Sequence, residues 1–515
     1  MVESGGAAVG AAQAPSAPEE PPQAMRRLMA IPGVFYGGGC AYMACRGLMM
    51  GGVDDVLLIT HGPVGCAYYS GINGFQGEPD AERPSFAART FSTHMNESDI
   101  VFGGQDKLAS AIDQAVERFH PRAVAVCATC PVGLIGDDID QAARDAAARH
   151  GIDVLPLSCE GFKAEPGWLI GGRQILDRWV EDAPDARAAR RSGRSLEGAA
   201  YGPGGPFTVN FMSESFEGRR RAQVQDLLGR VGYDVVCSLM GATTYEAIRK
   251  SGSARLVVLD SGKAIDEVGR MYERRFGCGF MRVSLLGAGN TARSLRAMAA
   301  FFGDEGLAAR TEEVIGRELR RTEAVREACR REFGGRVAAV FEDIFRSDDY
   351  ATLSLEAGMD VVMVAQDYSA KEYTEEGYVV HVPSSIAGAL RAAGGCGIDW
   401  AAAETADALP GCAAALVEGP APRWERVVAS RAQVAGLLAR IEPDICFAGI
   451  EERFGCRGAT MRSERFLSDE RGTDYRGFDA VSAYARDLRI ARASARWAYG
   501  VPAWARPFEE EGGRS

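Results

Sequence analysis

Residues 55–66 read DVLLITHGPVGC. Four aliphatic residues in a row, Val56 to Ile59, have the length and composition of a strand buried on both faces. The turn His61-Gly62-Pro63 ends that strand, and a cysteine follows at once. Working outward, the same unit recurs. Residues 105–119 place Leu108, Ile112, Val116 and Phe119 on one helical face. Residues 123–127 (AVAVC) form the next buried strand. Residues 137–150 begin with acidic side chains and stop at Gly151, the usual helix terminator. Residues 153–157 are a further strand. Strands alternating with helices in this way specify a parallel α/β sheet.

The rhythm breaks twice. A basic Ala/Arg run (residues 186–194) leads into a Gly/Pro-rich stretch, residues 199–206 (AAYGPGGP). Strands then resume at 207–211, 233–237, 254–260 and 280–285, with helices to about residue 231 and over 264–276. A long charged helical stretch, residues 307–333, ends at Gly334-Gly335. Strands resume once more at 336–341, 360–365, 378–382 and 445–448. The expected fold class is α/β, with three Rossmann-like parallel-sheet domains in series. Their expected bounds are a disordered leader at 1–32, a first α/β domain at 33–198, a second at 199–334, and a third at 335–515 carrying C-terminal helices.

Composition narrows the function. At roughly 150 residues per domain, 515 residues suit two to four domains. Hydrophobic residues at 46% and charged residues at 25% exclude disorder of the whole chain. Asp plus Glu is 70 against 58 Lys plus Arg, a net charge of −12. That balance, with no basic tract, argues against nucleic acid as a partner while leaving room for a local basic docking patch. No apolar run approaches the roughly 20 residues of a membrane span. Residues 1–23 lack the basic and apolar regions of a secretory signal. A cytoplasmic, reducing compartment is therefore expected, and structural disulfides are not. The 13 cysteines are then buried thiols, redox groups or metal ligands.

Position separates them. Ligands of open parallel sheets bind beyond the carboxyl ends of the strands. Cys66 lies past DVLLIT, Cys130 past AVAV in CATCPVGL, and Cys159 at the end of DVLPLS in CEGF. Cys40 sits in a glycine tract, GGGCAY, before the first strand, where the backbone can approach a bulky ligand. Thiolates converging from loops at one sheet edge suit an iron–sulfur cluster. Cys127 and Cys130 also form a C-x-x-C pair, which by itself fits a dithiol or half a zinc site. Zinc needs a second such pair and none exists. Five histidines are too few for a His-rich centre, and His61 is expected to shape the loop that holds Cys66. Any one cysteine taken alone is most simply a small buried hydrophobe.

Residues 39–66 (GCAYMACRGLMMGGVDDVLLITHGPVGC), followed in order by FGGQDKL, CPVGLIGDDI and CEGF, resemble the α subunit of the nitrogenase catalytic component. GFDAVSAYARDL (residues 477–488) is similar to that family's closing motif, and the likeness spans about residues 33–500. The resemblance implies that Cys40, Cys66 and Cys130 supply half of the cage of an eight-iron, seven-sulfur P-cluster. A homologous β-type subunit would supply the rest in an α2β2 assembly. A separate ATP-hydrolysing iron protein, with a four-iron, four-sulfur cluster, would deliver electrons. It also implies that Cys159 is structural.

At the second metal site the chain departs from that family. The cofactor's cysteine position falls on Ser261, and the histidine position on Arg462 within Met461-Arg462-Ser463-Glu464. A serine hydroxyl is a poor iron ligand beside a thiolate, and arginine cannot coordinate a metal. The helix after CEGF also lacks the histidine that serves substrate protonation in nitrogenases. Cys278 in FGCGF and Cys456 in FGCRG are the candidate replacement ligands for a second large iron–sulfur cluster, Cys278 first. Arg462 reads as a partner for an anionic cluster or an organic acid. This pattern resembles methylthio-alkane reductase, a nitrogenase-like enzyme that releases methanethiol from small thioethers. The alternatives are a nitrogenase α chain with altered cofactor ligation and a non-catalytic cofactor-assembly scaffold. No G-x-x-x-x-G-K-[ST] loop is present, so ATP belongs to a partner. The glycine loop at Gly287-Ala288-Gly289-Asn290 is expected to cap a helix.

Overall fold

The computed structural model describes residues 40–72, 89–163, 165, 167–181, 207–213, 218–241, 243–260, 266–343, 347–367, 377–394, 397–406, 423–448, 459–462 and 475–493. The leader, the expected boundary at 198/199, Ser261 and Cys456 lie outside these residues.

The first sheet holds β1 (Val56–His61), β2 (Thr90–Ser92), β3 (Ala123–Ala128) and β4 (Asp153–Leu157) in the order β2-β1-β3-β4, all parallel. Every residue of β1 and β3 is buried. Successive side chains of a strand point to opposite faces, so each strand serves two cores. Leu57, Ile59, Val124 and Val126 pack under the helices Gln105–Phe119 and Ile139–His150. Val56, Leu58, Ala125 and Cys127 pack under the helix Gly167–Arg178.

The second sheet holds β5 (Thr208–Ser213), β6 (Asp234–Cys237), β7 (Leu256–Asp260) and β8 (Gly279–Val283) in the order β6-β5-β7-β8, again all parallel. Its inner face is continuous with the first core: Val257, Leu259, Val268 and Tyr272 join Met49, Ile175 and Trp179 in one cluster. The Tyr245 hydroxyl reaches back to donate to Asp153. The charged helix runs Glu305–Phe333, its first turn capped by Asp304, whose carboxylate accepts from the Leu307 amide at 2.7 Å.

The third sheet corrects the expectation of parallel strands throughout. It comprises β9 (Val337–Asp343), β10 (Asp360–Asp367), β11 (Gly377–Pro383), β12 (Glu404–Ala406), β13 (Trp424–Ser430), β14 (Ile445–Ala448) and β15 (Ala459–Arg462), in the order β12-β13-β11-β10-β9-β14-β15. The β10-β9-β14-β15 half is parallel, whereas β10-β11, β11-β13 and β12-β13 are antiparallel. Only residues 368–376 separate β10 from β11. A parallel return needs a crossover of about a dozen residues or more. The strands β2, β12, β13 and β15 carry too short or too polar a pattern to stand out in the sequence.

No helix of the described residues is long and apolar enough to cross a membrane.

Candidate iron–sulfur centre

Three short elements carry the three cysteines. Cys40 is extended and leads into a helical turn, Ala41–Met43, that widens into a π-helical turn, Ala44–Met49. Such turns are uncommon and gather at functional sites. Cys66 lies in the helix Val64–Ile72, directly after β1. Cys130 opens the helix Cys130–Ile135 after β3, with Thr129 at its N-cap and Pro131 in its first turn.

Gly161, in the CEGF segment, brings two of them together. The Ala41 amide donates to its carbonyl oxygen at 3.4 Å. A Cβ built on Gly161 would stand 2.6 Å from the Cys40 Sγ and 3.1 Å from the Cys130 Sγ. The two sulfurs therefore lie no more than 5.7 Å apart, the sum of those distances. Cys66 is within electrostatic reach of both: burial pushes its thiol up, and the Cys40 and Cys130 charges push it further.

His61 ties the Cys66 loop to the Cys130 loop. Its carbonyl accepts from the Thr129 amide at 3.2 Å and the Thr129 hydroxyl at 2.8 Å. Its ring is wholly buried, bonded through Nδ1 to the Thr93 Oγ1 at 3.0 Å and through Nε2 to the Asp137 carboxylate at 3.1 Å. Burial lowers its pKa despite Asp137. Gly62 lets the loop lie against Thr129, since a Cβ there would fall 2.0 Å from the Thr129 Oγ1.

Of the ten described cysteines, Cys40, Cys66 and Cys130 are the three that are half-buried; the other seven are buried. The sulfurs thus reach a surface. Around them the same elements expose large apolar side chains: Val64 and Tyr68 beside Cys66, Leu134 beside Cys130, Phe162 beside Gly161, and Phe102, 87% exposed, on the adjoining helix Glu97–Phe102.

The donor set, three half-buried cysteines with two sulfurs within 5.7 Å, suits the soft ligation of an iron–sulfur cluster. No three His, Cys, Asp or Glu side chains among the described residues are placed to hold one metal ion. The bare Gly161 leaves the two sulfurs room that any side chain would fill.

Cys278, the expected replacement ligand, lies at the far edge of the second sheet from the end of β7. In the sheet, Leu256 pairs with Gly279 and Asp260 with Val283. Cys278 is therefore level with Arg255 at the amino edge, while Asp260 ends β7 at the carboxyl edge. At the ~3.3 Å rise of a parallel strand, the two levels are about 17 Å apart. Cys278 is also buried in the core, its thiol pushed up to about 12 by that burial. It does not lie at the carboxyl edge of this sheet. Arg462 ends β15 at the carboxyl edge of the third sheet, paired in register with Ala448.

The helix Gly167–Arg178, which lacks the nitrogenase histidine, packs backbone-close on the π-helical turn. A Cβ on Gly167 would meet the Ala41 carbonyl oxygen at 1.9 Å, and one on Gly171 would meet the Cys45 Sγ at 2.9 Å. The loop at Gly287 is no anion site. Its helix, Ala288–Phe302, is already capped by the buried Glu356 carboxylate, which accepts from the Ala288 amide at 3.0 Å and the Gly289 amide at 2.7 Å.

Residues 40–478 match the family model described as nitrogenase component 1 type oxidoreductase. The chain belongs to the nitrogenase component 1 family. Proteins of this family are oxidoreductases that bind iron–sulfur clusters. Its relatives include the nitrogenase molybdenum–iron protein α chain of Methanosarcina barkeri, 29% identical over 92% of this chain and 89% of that protein. The corresponding α chain of Clostridium pasteurianum is 28% identical over 95% and 92%. The iron–molybdenum cofactor biosynthesis protein NifE of M. barkeri is 27% identical over 89% of each. The solved structure of nitrogenase Cp1 at pH 5 superposes with a TM-score of 0.69 at 26% identity, over 94% of both chains. The fold is thus that of a component 1 α chain.

The sequence pointed to Cys40, Cys66 and Cys130 as candidates but not to Gly161, Thr129 and Asp137, which the structure places between and beneath their loops. The glycine two residues beyond Cys159, just past a strand end, was the available signal for Gly161.

Proposed function

We propose that this chain is the α-type subunit of a nitrogenase-like, ATP-driven reductase, and that its substrate is a small thioether. Cys40, Cys66 and Cys130 would hold one half of a P-cluster, with a β-type subunit closing the other half. The observation that carries this reading is the convergence of the half-buried Cys40 and Cys130 sulfurs over the bare α-carbon of Gly161, with the half-buried Cys66 in electrostatic reach of both, at a surface rimmed by apolar side chains. A half-cage of thiolates open to water is readily oxidised. An apolar rim of this kind marks a protein interface.

The bound cluster would supply one-electron transfer from a separate iron protein. The chain's own residues hold and orient it: Thr129 and the His61 carbonyl fix the spacing of two ligand loops, and Asp137 fixes the His61 ring. ATP hydrolysis falls to the iron protein, since Glu356 fills the helix terminus that a phosphate would need.

The thioether reading rests on the second site. Ser261 and Arg462 stand where nitrogenases place a thiolate and an imidazole, so dinitrogen chemistry on a conventionally held cofactor is disfavoured. The net reaction is R–S–CH3 plus two electrons and two protons, giving R–H and CH3SH; the carbon–sulfur bond breaks and each fragment gains a proton. Arg462 would serve as a cationic partner for an anionic cluster or an organic acid. The similarity to NifE supports a second reading, a scaffold that assembles a cluster and releases it.

The test is turnover by the purified complex with its reductase and ATP, using dimethyl sulfide and 2-methylthioethanol. Methanethiol release is the expected result. A complex that loads clusters, turns over no thioether and transfers its second cluster to an apo-reductase is a scaffold.

A further inference from the structure

Directly behind the surface sulfurs lies a second set of cysteines. Cys45 is in the π-helical turn that follows Cys40, Cys127 is in β3 three residues before Cys130, and Cys159 is two residues before Gly161. All three are wholly buried. The three belong to one core cluster, and each thiol lies within electrostatic range of the others, Cys159 acting on both Cys45 and Cys127. The Cys159 thiol also lies 3.6 Å from the Ala128 carbonyl oxygen, at the root of the Cys130 loop. The fully buried Arg46 guanidinium flanks Cys127.

The neighbouring Cys159 and burial push the Cys127 thiol well up, and burial does the same to Cys159, which favours the neutral S–H form over a nucleophile or ligand. Their placement gives them another use. Each joins an element that bears, or closely approaches, a surface sulfur. A thiol offers one weak donor and a polarizable acceptor. Three of them in one core cluster, with Cys159 against the Ala128 carbonyl, form a low-polarity bridge between three backbones.

We propose that the Cys45–Cys127–Cys159 thiol network positions the Cys40 and Cys130 sulfurs, with Cys159 as its central positioning residue. The inference rests on the cluster reading above and deepens it. Groups that orient metal ligands from behind are worth about 10–100-fold in metal affinity or activity.

The experiment uses the complete complex with its β-type partner and compares wild type with C159A, C159S and C329A. Cys329 is equally buried but belongs to the core of the third sheet, and serves as the packing control. The readouts are the rate of iron loss to a chelator and the electron paramagnetic resonance g values of the oxidised cluster. C159A is expected to load iron, lose it about tenfold faster and show shifted g values. C159S, which keeps a donor and acceptor, should fall nearer to wild type. C329A should lower thermal stability alone. Wild-type g values and release rates in C159A would overturn the proposal.

If C159A does not accumulate, C45A removes the outer arm of the network and is read the same way. The oxidised-minus-reduced infrared spectrum of the wild type adds a measurement free of substitution. It must show S–H bands that move with cluster charge, and a flat S–H region counts against the network. A wild-type complex that binds no iron refutes the cluster reading itself, an outcome distinct from the others, and the positioning role falls with it.

Discussion

Asp260 and Arg476 form a buried ion pair across 216 residues of chain, with the Arg476 Nε 2.7 Å from the Asp260 Oδ2. Asp260 is the last residue of β7. Its other oxygen accepts from the Leu285 amide at 3.1 Å, and the Ser213 hydroxyl bridges it to the Arg476 Nη2. The pair joins the carboxyl edge of the second sheet to the segment that opens the C-terminal helix Ala480–Ala493. It thereby fixes the backbone immediately before position 261.

Removing one partner strands a charge in the interior. Arg476→Met is expected to destabilise the chain by about 3–5 kcal/mol. Asp260→Leu combined with Arg476→Met should recover much of that loss, because two apolar side chains leave nothing unpaired. Urea midpoints of the two single variants and the double variant measure the difference.

Gly161→Ala is expected to empty the first site while leaving the fold intact. The new methyl group would displace the Cys40 sulfur, which is the end of a side chain, rather than backbone. Stability should change by less than about 1 kcal/mol. Iron per chain should fall sharply, as measured by chelation of the denatured protein.

Cys278→Ala should leave iron content and turnover at wild-type levels. The thiol is in the apolar core, level with Arg255 and remote from the carboxyl edge. Its loss should cost about 1 kcal/mol of stability, read as a lower thermal midpoint.

His381, in β11, is buried with no partner for its Nδ1 among the described residues. Burial, aided by the Arg426 cation, pushes its pKa from 6.5 down to about 4. The unfolded chain therefore takes up a proton at a pH where the folded chain does not. The associated stability is complete above about pH 6.5 and is lost as pH falls toward about 4, by on the order of 3 kcal/mol. His61, lowered in the same direction, adds to this acid limb. His381→Leu should flatten it, seen by comparing urea midpoints at neutral and acid pH.

Equilibrium dialysis of the purified chain with ATP should detect no binding, since Glu356 already occupies the helix terminus at Gly289. Glu356→Ala should destabilise the chain by about 2–3 kcal/mol, the worth of charge-assisted bonds to two buried amides.

Much of the first two sheets was legible because their strands are buried on both faces. Such strands read as unbroken aliphatic runs, as in residues 56–59 and 123–126. The third sheet was legible only in part. Its antiparallel strands β12 and β13 alternate apolar with polar residues or are very short, so their pairing depends on neighbours distant in the chain. Cys278 shows the same limit in the site. Sequence placed it beside the strand that ends at Asp260, but adjacency of strands says nothing about which edge a residue occupies.

The sequence by itself determined the α/β class, the strand ends at which Cys66 and Cys130 stand, and the glycine-flanked Cys40. These are local facts, set by residue type and by periods of two and 3.6. Tertiary structure alone decided that Cys40 and Cys130 meet over Gly161, that Cys45, Cys127 and Cys159 fall in one core cluster, and that Glu356 fills a helix end 67 residues away in sequence. These contacts depend on how sheets and helices pack once their apolar faces are buried. The burial energy that drives that packing is non-directional, so only the assembled chain reveals which side chains it brings together.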